Sequence, residues 1–152
     1  MSINNGCLFL HYQKTALMLS KKTRYAMLAL TNLASKYGGG AIQIGDIAKM
    51  ENIPQRFLES ILLDLKKMGI LGSKLGKSGG YYLIKPPEEV SLLDVIRHFE
   101  GTIALMYCVS EKAYQPCEFC KEEETCKIRH VFKKIRDTTY DILQDATLAS
   151  LI

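Results

Sequence analysis

Four cysteines lie close together in the second half of this 152-residue chain: Cys108, Cys117, Cys120 and Cys126 fall within nineteen residues. Four thiolates can hold a 2Fe–2S or 4Fe–4S cluster or a tetrahedral zinc ion, and neighbouring thiols can also act as a redox switch. Because intracellular thiols stay reduced, such a cluster indicates a metal or redox site in preference to structural disulfides. His130, one helical turn after Cys126, is a further candidate ligand.

A second set of chemically suited residues lies on a predicted helix from about Gln55 to Met68. Apolar residues recur at helical spacing on one side of this helix, and Gln55, Arg56 and Glu59 fall on the other side. Arginine can form two hydrogen bonds with guanine, glutamine can do the same with adenine, and glutamate can accept from cytosine. The exposed face therefore predicts contacts with base edges in the major groove of DNA.

A glycine-rich segment, residues 76–80, separates two short apolar runs at 70–75 and 81–84, which predicts a β-hairpin with a flexible tip. Lysines and small residues at the tip suit contacts with phosphates, the small residues through exposed backbone N–H groups. Two basic residues at the start of the first predicted helix are further candidates. The candidate DNA contacts are Lys22, Arg24, Gln55, Arg56, Glu59, Lys74, Lys77, Ser78 and Gly79.

Short-range signals mark the other elements. Ser20 suits an N-cap, Pro54 the first position of a helix, Gly69 a left-handed C-terminal cap, and Ser91 a capping box with Asp94. The signals predict helices over about 20–36, 46–51, 55–68, 91–100 and 127–145, with a loop over 108–126. The expected fold class is mainly α with a small β-hairpin wing: a winged helix-turn-helix domain followed by a long C-terminal dimerisation helix.

The last helix carries an apolar stripe that is too long for the small remaining core to cover, which predicts a homodimer; its members are Ile128, Val131, Phe132, Ile135, Thr139, Ile142 and Leu143. We expect three segments along the chain. Residues 1–17 form an N-terminal extension or precede the true start, residues 18–87 form the DNA-binding domain, and residues 88–152 hold the linker helix, cysteine loop and dimerisation helix.

Charge is divided unevenly along the chain. Residues 1–87 carry twelve Lys and Arg against four Asp and Glu, whereas residues 88–152 carry eight against twelve. A basic half joined to an acidic half indicates that one end meets a polyanion. No apolar run approaches the roughly 20 residues of a membrane span, and no secretory signal is evident. We therefore expect a cytoplasmic protein that does not bind membranes.

Several pieces of the chain resemble the IscR-type (Rrf-two) family of bacterial winged-helix transcriptional regulators. The most specific are Arg24-Tyr25-Ala26 and the glycine-rich segment ending at Tyr81; the likeness extends from about residue 18 to residue 151. It implies a homodimer that pairs its long C-terminal helices on a pseudo-palindromic operator, with Glu59 matching the family's specificity-setting glutamate. The chain departs from the family where Leu75 replaces a wing arginine and where Gln43 and Pro54 replace the usual serine caps.

The resemblance also bears on the cysteines. Family members that sense iron–sulfur status or nitric oxide carry three cysteines and one other ligand in this loop, whereas members concerned with cysteine metabolism carry none. Cys120 and Cys126 match the family's last ligand spacing, and the first ligand is Cys117 or Cys108. An iron–sulfur cluster is the favoured cofactor, with structural zinc or a thiol switch as the alternatives. Cys7 is not expected to take part.

These patterns predict a sequence-specific DNA-binding transcriptional regulator, not an enzyme, that responds to iron–sulfur or redox state through its cysteines. Two other classes compete with this interpretation. A thiol oxidoreductase built on Cys117 and Cys120 would need a strand-then-helix context that the sequence lacks, and no phosphate loop or hydrolase motif is present. A winged helix that binds protein would not show the steep dependence of DNA affinity on salt concentration that phosphate contacts produce.

Overall fold

The computed structural model describes residues 19–152 and confirms the mainly α fold with a β-hairpin wing. The predicted extension over residues 1–17 lies outside the described residues. Within the described range, short 3-10 turns at Pro87–Glu89, Tyr107–Val109 and Leu148–Leu151 join the main elements. These are α1 Lys21–Ala34, α2 Ile44–Met50, α3 Gln55–Lys67, β1 Leu71–Lys74, β2 Gly80–Leu83, α4 Leu92–Glu100 and α5 Lys127–Asp145.

The helix starts follow their caps where a cap exists. The Ser20 side chain accepts from the backbone N–H of Thr23 at 3.2 Å and fixes the start of α1. Gln43 and Pro54 make no side-chain cap hydrogen bond, so the starts of α2 and α3 depend on packing, as predicted. Without a cap signal, α2 begins two residues earlier than the predicted Asp46, and Pro54 is the N-cap of α3 instead of its first residue.

The second helix of the helix-turn-helix, α3, supplies the centre of the hydrophobic core. Its four inward residues have no exposed surface and pack among α1, α2 and β1: Leu58, Ile61, Leu62 and Leu65. Burial of an aliphatic side chain contributes about 1.5–3 kcal/mol. Gly69, with φ of 72°, takes the left-handed conformation that was predicted after this helix.

The hairpin is antiparallel, with Leu71 paired to Leu83 and Lys74 paired to Gly80. Its second strand is also bonded on its outer edge, because Ile42 and Tyr81 exchange two backbone hydrogen bonds of 2.9 Å. The wing base is therefore joined to the residue that precedes the helix-turn-helix.

The C-terminal tail returns to the first half of the chain. Leu148 is fully buried in the same core cluster as the α1 and α3 side chains. Its backbone N–H donates to the Val90 carbonyl at 3.0 Å, and the Leu92 N–H donates to the Ala146 carbonyl at 2.8 Å. One core thus continues across the predicted boundary at residue 87, and that boundary stays a prediction about chain segments.

The long helix α5 has no fully buried residue. Four members of its predicted apolar stripe are exposed, namely Ile128, Val131, Ile135 and Ile142. No helix in residues 19–152 has both the length and the apolar character that a bilayer span requires.

We predict that the tail is a stabilising part of the core. Leu148→Ala should lower the free energy of unfolding by roughly 2–5 kcal/mol, because it leaves a cavity where a leucine is fully buried. Leu151, which is 44% exposed in the same turn, is the matched control, and Leu151→Ala should cost less than about 0.5 kcal/mol. Urea denaturation followed by circular dichroism measures both values; equal losses would contradict the prediction.

Candidate functional site

The candidate base contacts lie together at the start of α3. Gln55, Arg56 and Glu59 are all exposed, on the side opposite the buried leucines and isoleucine. Among residues 19–152, neither Arg56 nor Glu59 has an ion-pair partner within 4.0 Å. The polar ends of these side chains are thus available to a ligand that approaches the open face of α3.

The first turn of α1 lies alongside α3 in the opposite direction. The Tyr25 ring meets the Phe57 ring edge-on with centroids 5.8 Å apart, and Lys22 Nζ lies 2.8 Å from a carboxylate oxygen of Asp64. Arg24, between these two contacts in sequence, is exposed. Arg24 therefore lies on the part of α1 that borders the candidate interface.

Lys22 has a second role that the sequence did not indicate. Its ammonium lies 5.3 Å from the centre of the Phe99 ring as well as on Asp64, so it joins α1, α3 and α4. The hydrogen bond from Lys22 lowers the pKa of Asp64, which keeps this carboxylate ionised. With its charge paired inside the protein, Lys22 is a weaker candidate for DNA than Arg24.

The wing tip presents Lys74, Lys77 and Ser78 to solvent, together with a Leu75 side chain that is 95% exposed. The expectation of a free backbone N–H at Gly79 is wrong. That amide donates to the Gly76 carbonyl at 2.9 Å, and the residue is buried. A Cβ at Gly79 would lie 2.3 Å from the Lys74 carbonyl oxygen, so this glycine allows the tip to close on itself.

Gln43 lies beside the wing tip, although its position in the sequence predicted only the start of a helix. Its side-chain Nε2 donates to the Lys77 carbonyl at 2.9 Å and so contacts the wing tip. The signal in the sequence is a long amide side chain at a helix N-cap where the family resemblance implies serine.

The four clustered cysteines are neighbours but not equivalent. Cys120 and Cys126 have their sulfur atoms 3.3 Å apart, and the Cys120 N–H donates to the Cys117 carbonyl, also at 3.3 Å. Cys108 is buried in the 3-10 turn before the loop, whereas the other three cysteines are half-buried. Cys126 is the N-cap of α5, where its sulfur accepts from the Arg129 N–H at 3.4 Å.

These surroundings separate the acidities of the thiols. The Arg129 backbone N–H and the thiol of Cys120 both donate to the Cys126 sulfur and lower its pKa. Cys120, as the donor in that pair, has its pKa raised to about 12. Burial, and then the proximity of Cys117, raise the pKa of Cys108. Of Cys108, Cys120 and Cys126, Cys126 is therefore the thiol that ionises most readily.

Arginines hold the cysteine segment against the helices. The Arg129 side chain donates to the Cys108 carbonyl at 3.1 Å and lies 3.5 Å from Glu123. Arg136 donates to the Val109 carbonyl, and Arg97 on α4 pairs with Glu111 at 3.1 Å. The loop is therefore attached to both α4 and α5.

The donor chemistry suits iron or zinc, since thiolates are preferred ligands of both. The geometry fits less well. Within residues 19–152, no three His, Cys, Asp or Glu side chains are arranged to hold one metal ion, and His130 is exposed. Cys120 and Cys126 thus form one close sulfur pair, and within residues 19–152 the structure does not gather the four sulfurs around one centre.

Comparison with known proteins extends these observations. The family model described as Rrf2, an iron-dependent transcriptional regulator, matches residues 19–152. A Rhodobacter capsulatus protein named as an rrf2-like HTH-type transcriptional regulator is 40% identical over 138 aligned positions, and the match covers 89% of this chain and 92% of the relative.

Solved structures also match nearly the whole chain. The structure of CymR, the global cysteine regulator of B. subtilis, matches with a TM-score of 0.74 and 29% identity over 88% of this chain and 95% of that chain. The structure of T. potens IscR matches with a TM-score of 0.67 and 25% identity over 90% and 86% of the two chains.

Proposed function

Because the chain belongs to the Rrf2 family of transcriptional regulators, we propose that it is a sequence-specific regulator that binds double-stranded DNA in the bacterial cytoplasm and catalyses no reaction. One observation carries the proposal: α3 buries one face completely and leaves Gln55, Arg56 and Glu59 exposed to solvent. A helix of this kind, next to a basic wing, suits insertion in the major groove.

The two parts of the interface have different tasks in this proposal. Arg56 and Glu59 are three residues apart on α3 and project from the same side, so they contact neighbouring bases. Lys74 and Lys77 are on the wing and contact the sugar-phosphate backbone or the minor groove. Leu75 adds no charge where the family often has arginine, so any minor-groove contact of the wing rests on Lys74 or Lys77.

We also propose a homodimer on a pseudo-palindromic operator. The exposed stripe on α5 recurs at spacings of three, four and seven residues, which suits a partner helix packed along it. A second copy of α5 would remove these side chains from water and place two α3 helices on one face of DNA.

The cysteine cluster is the proposed sensor. An iron–sulfur cluster held by three or four of its sulfurs would draw the loop together, and the alternative is zinc. Arg97 and Arg136 attach this loop to α4 and α5. A rearranged loop would therefore shift these two helices, of which α4 packs against α1 in the DNA-binding half. Such a change regulates DNA affinity if the two states differ in their affinity for DNA.

The separation of 3.3 Å between two sulfurs favours a second kind of sensor, a dithiol. Hydrogen peroxide would oxidise one thiol to a sulfenic acid and release water. The other thiol would then displace a second water and form the disulfide between Cys120 and Cys126. Two electrons pass to the peroxide, and a thiol reductant reverses the reaction.

For DNA recognition, we predict that Arg56→Ala costs roughly 1–3 kcal/mol on the cognate operator and little on a scrambled duplex. Lys77→Ala should weaken binding to both duplexes and reduce the salt slope by about one. Glu59→Ala should broaden the set of bound duplexes, because it removes both a cytosine acceptor and a repulsive charge. Fluorescence anisotropy at several salt concentrations measures these effects. Equal losses on both duplexes for Arg56→Ala would make that residue a phosphate contact.

For the oligomer, we predict that light scattering finds twice the chain mass at micromolar concentration. Ile142→Glu should produce monomers, because it places a charge in the apolar stripe at a position that is 64% exposed in the single chain. Gln144→Glu, two residues away and equally acidic, should remain dimeric. A monomeric wild-type protein would end the proposal.

For the sensor, we predict that protein purified without oxygen contains iron and sulfide, measured by elemental analysis and the visible spectrum. Cys120→Ala or Cys126→Ala should remove the metal, whereas Cys7→Ala should retain it. Zinc without sulfide would support the zinc alternative. Metal-free protein that loses two thiols on treatment with peroxide, with recovery by dithiothreitol, would support the dithiol. Full metal content in both single variants would contradict the ligand assignment.

A further inference from the structure

The wing tip is attached to the helix-turn-helix by one side chain. Gln43 precedes α2 in extended conformation, with φ of −67° and ψ of 141°, and its side chain makes no cap hydrogen bond to its own helix. Its Nε2 instead donates to the Lys77 carbonyl at 2.9 Å, across 34 residues of sequence. A residue placed to cap a helix therefore binds the hairpin.

The tip has few other attachments. The strand pairing ends where Lys74 meets Gly80, so residues 75–79 lie beyond the ladder. Within this tip, the Gly79 amide donates to the Gly76 carbonyl, a bond that closes the turn but does not attach it to the helices. Among residues 19–152, the Gln43 bond is the one side-chain hydrogen bond between residues 75–79 and the helices.

The same end of α2 also lies beside the start of α3. An ideal Cβ built on Gly45 would lie 3.9 Å from the Gln55 side-chain oxygen, an ordinary contact distance. Gln43 is two residues before Gly45, so its bond attaches the wing tip to the end of α2 that lies near Gln55 of α3. This hydrogen bond between Gln43 and Lys77, called the tether below, sets the distance between Lys77, the proposed backbone contact, and the proposed base contacts on α3.

We propose that Gln43 is a positioning residue for DNA binding, which holds Lys77 of the wing in register with α3 before DNA arrives. The inference rests on the proposed function. A wing tip that is already ordered in the free protein loses less conformational entropy when it binds DNA. The free energy of binding is then more favourable by the entropy cost that is avoided. Because Lys77 meets the backbone and not the bases, the gain applies to every DNA sequence.

The test uses the full chain and two labelled duplexes: one that the wild-type protein enriches from a random library, and its scrambled counterpart. Gln43→Ala should weaken binding to both by about two- to tenfold, the range that one exposed hydrogen bond allows. In a Lys77→Ala background, Gln43→Ala should have little further effect, since the tether acts through that residue.

The Gln43→Ser variant distinguishes an effect on the position of the wing tip from an effect on the stability of α2. Serine is too short to contact Lys77, but its hydroxyl can accept from the backbone N–H of Gly45, the second residue of α2, and cap the helix. This variant should therefore melt at a higher temperature than Gln43→Ala and still bind DNA as weakly. If affinity recovers together with the melting temperature, Gln43 acts through the stability of α2 and the proposal is overturned.

Hydrogen exchange of the free protein tests the tether without DNA. Both Gln43 variants should exchange the Gly79 amide faster than the wild-type protein does. Unchanged exchange, wild-type affinity in Gln43→Ala, or an undiminished loss in the Lys77→Ala background would each overturn the inference. Faster exchange in a protein that binds neither duplex, even at low salt, would instead contradict the proposed function and leave the tether standing as a structural contact only.

Discussion

Four aliphatic side chains on one face of α3 determine how the rest of the interface is presented. Leu58, Ile61, Leu62 and Leu65 have no exposed surface, so α3 cannot rotate about its axis without moving them into water. A rotation of one residue would also carry Arg56 or Glu59 toward the core, where an unpaired charge is costly. The outward direction of the polar side chains is therefore a consequence of how tightly the other side is packed.

The wing depends on the same core, but through close backbone contacts. Gly80, with φ of 150°, passes so near Ile42 that a Cβ would lie 2.1 Å from the Ile42 carbonyl oxygen. No other residue type fits there, and this approach permits the two hydrogen bonds between Ile42 and Tyr81. The base of the hairpin is thereby fixed to the helix-turn-helix, while the tip is attached by the side-chain hydrogen bond from Gln43.

The α4 helix contacts both the DNA-binding half and the cysteine segment. At its end, Glu100 accepts from the Ser20 N–H at 2.8 Å and from the Thr23 hydroxyl, at the start of α1. Burial opposes ionisation of Glu100, but these hydrogen bonds outweigh it and lower its pKa. On its other side, the Arg97 guanidinium stacks on the Tyr140 ring of α5 at 4.3 Å and pairs with Glu111. A change in the cysteine loop thus has a short path of direct contacts to α1.

The sequence by itself determined the class of fold, the order of the elements, the cap residues Ser20, Gly69 and Ser91, and the apolar face of α3. These features depend on groups within one or two helical turns, so their chemistry is legible in the local sequence. The tertiary structure decided which residues meet across the chain: Lys22 with Asp64, Gln43 with Lys77, Leu148 with the core, and the thiol of Cys120 with that of Cys126. It also pairs the Gly79 amide with the Gly76 carbonyl, so that amide is not free to contact a phosphate. Such contacts depend on how separate elements pack and how the loops between them close, and no spacing within one element records that.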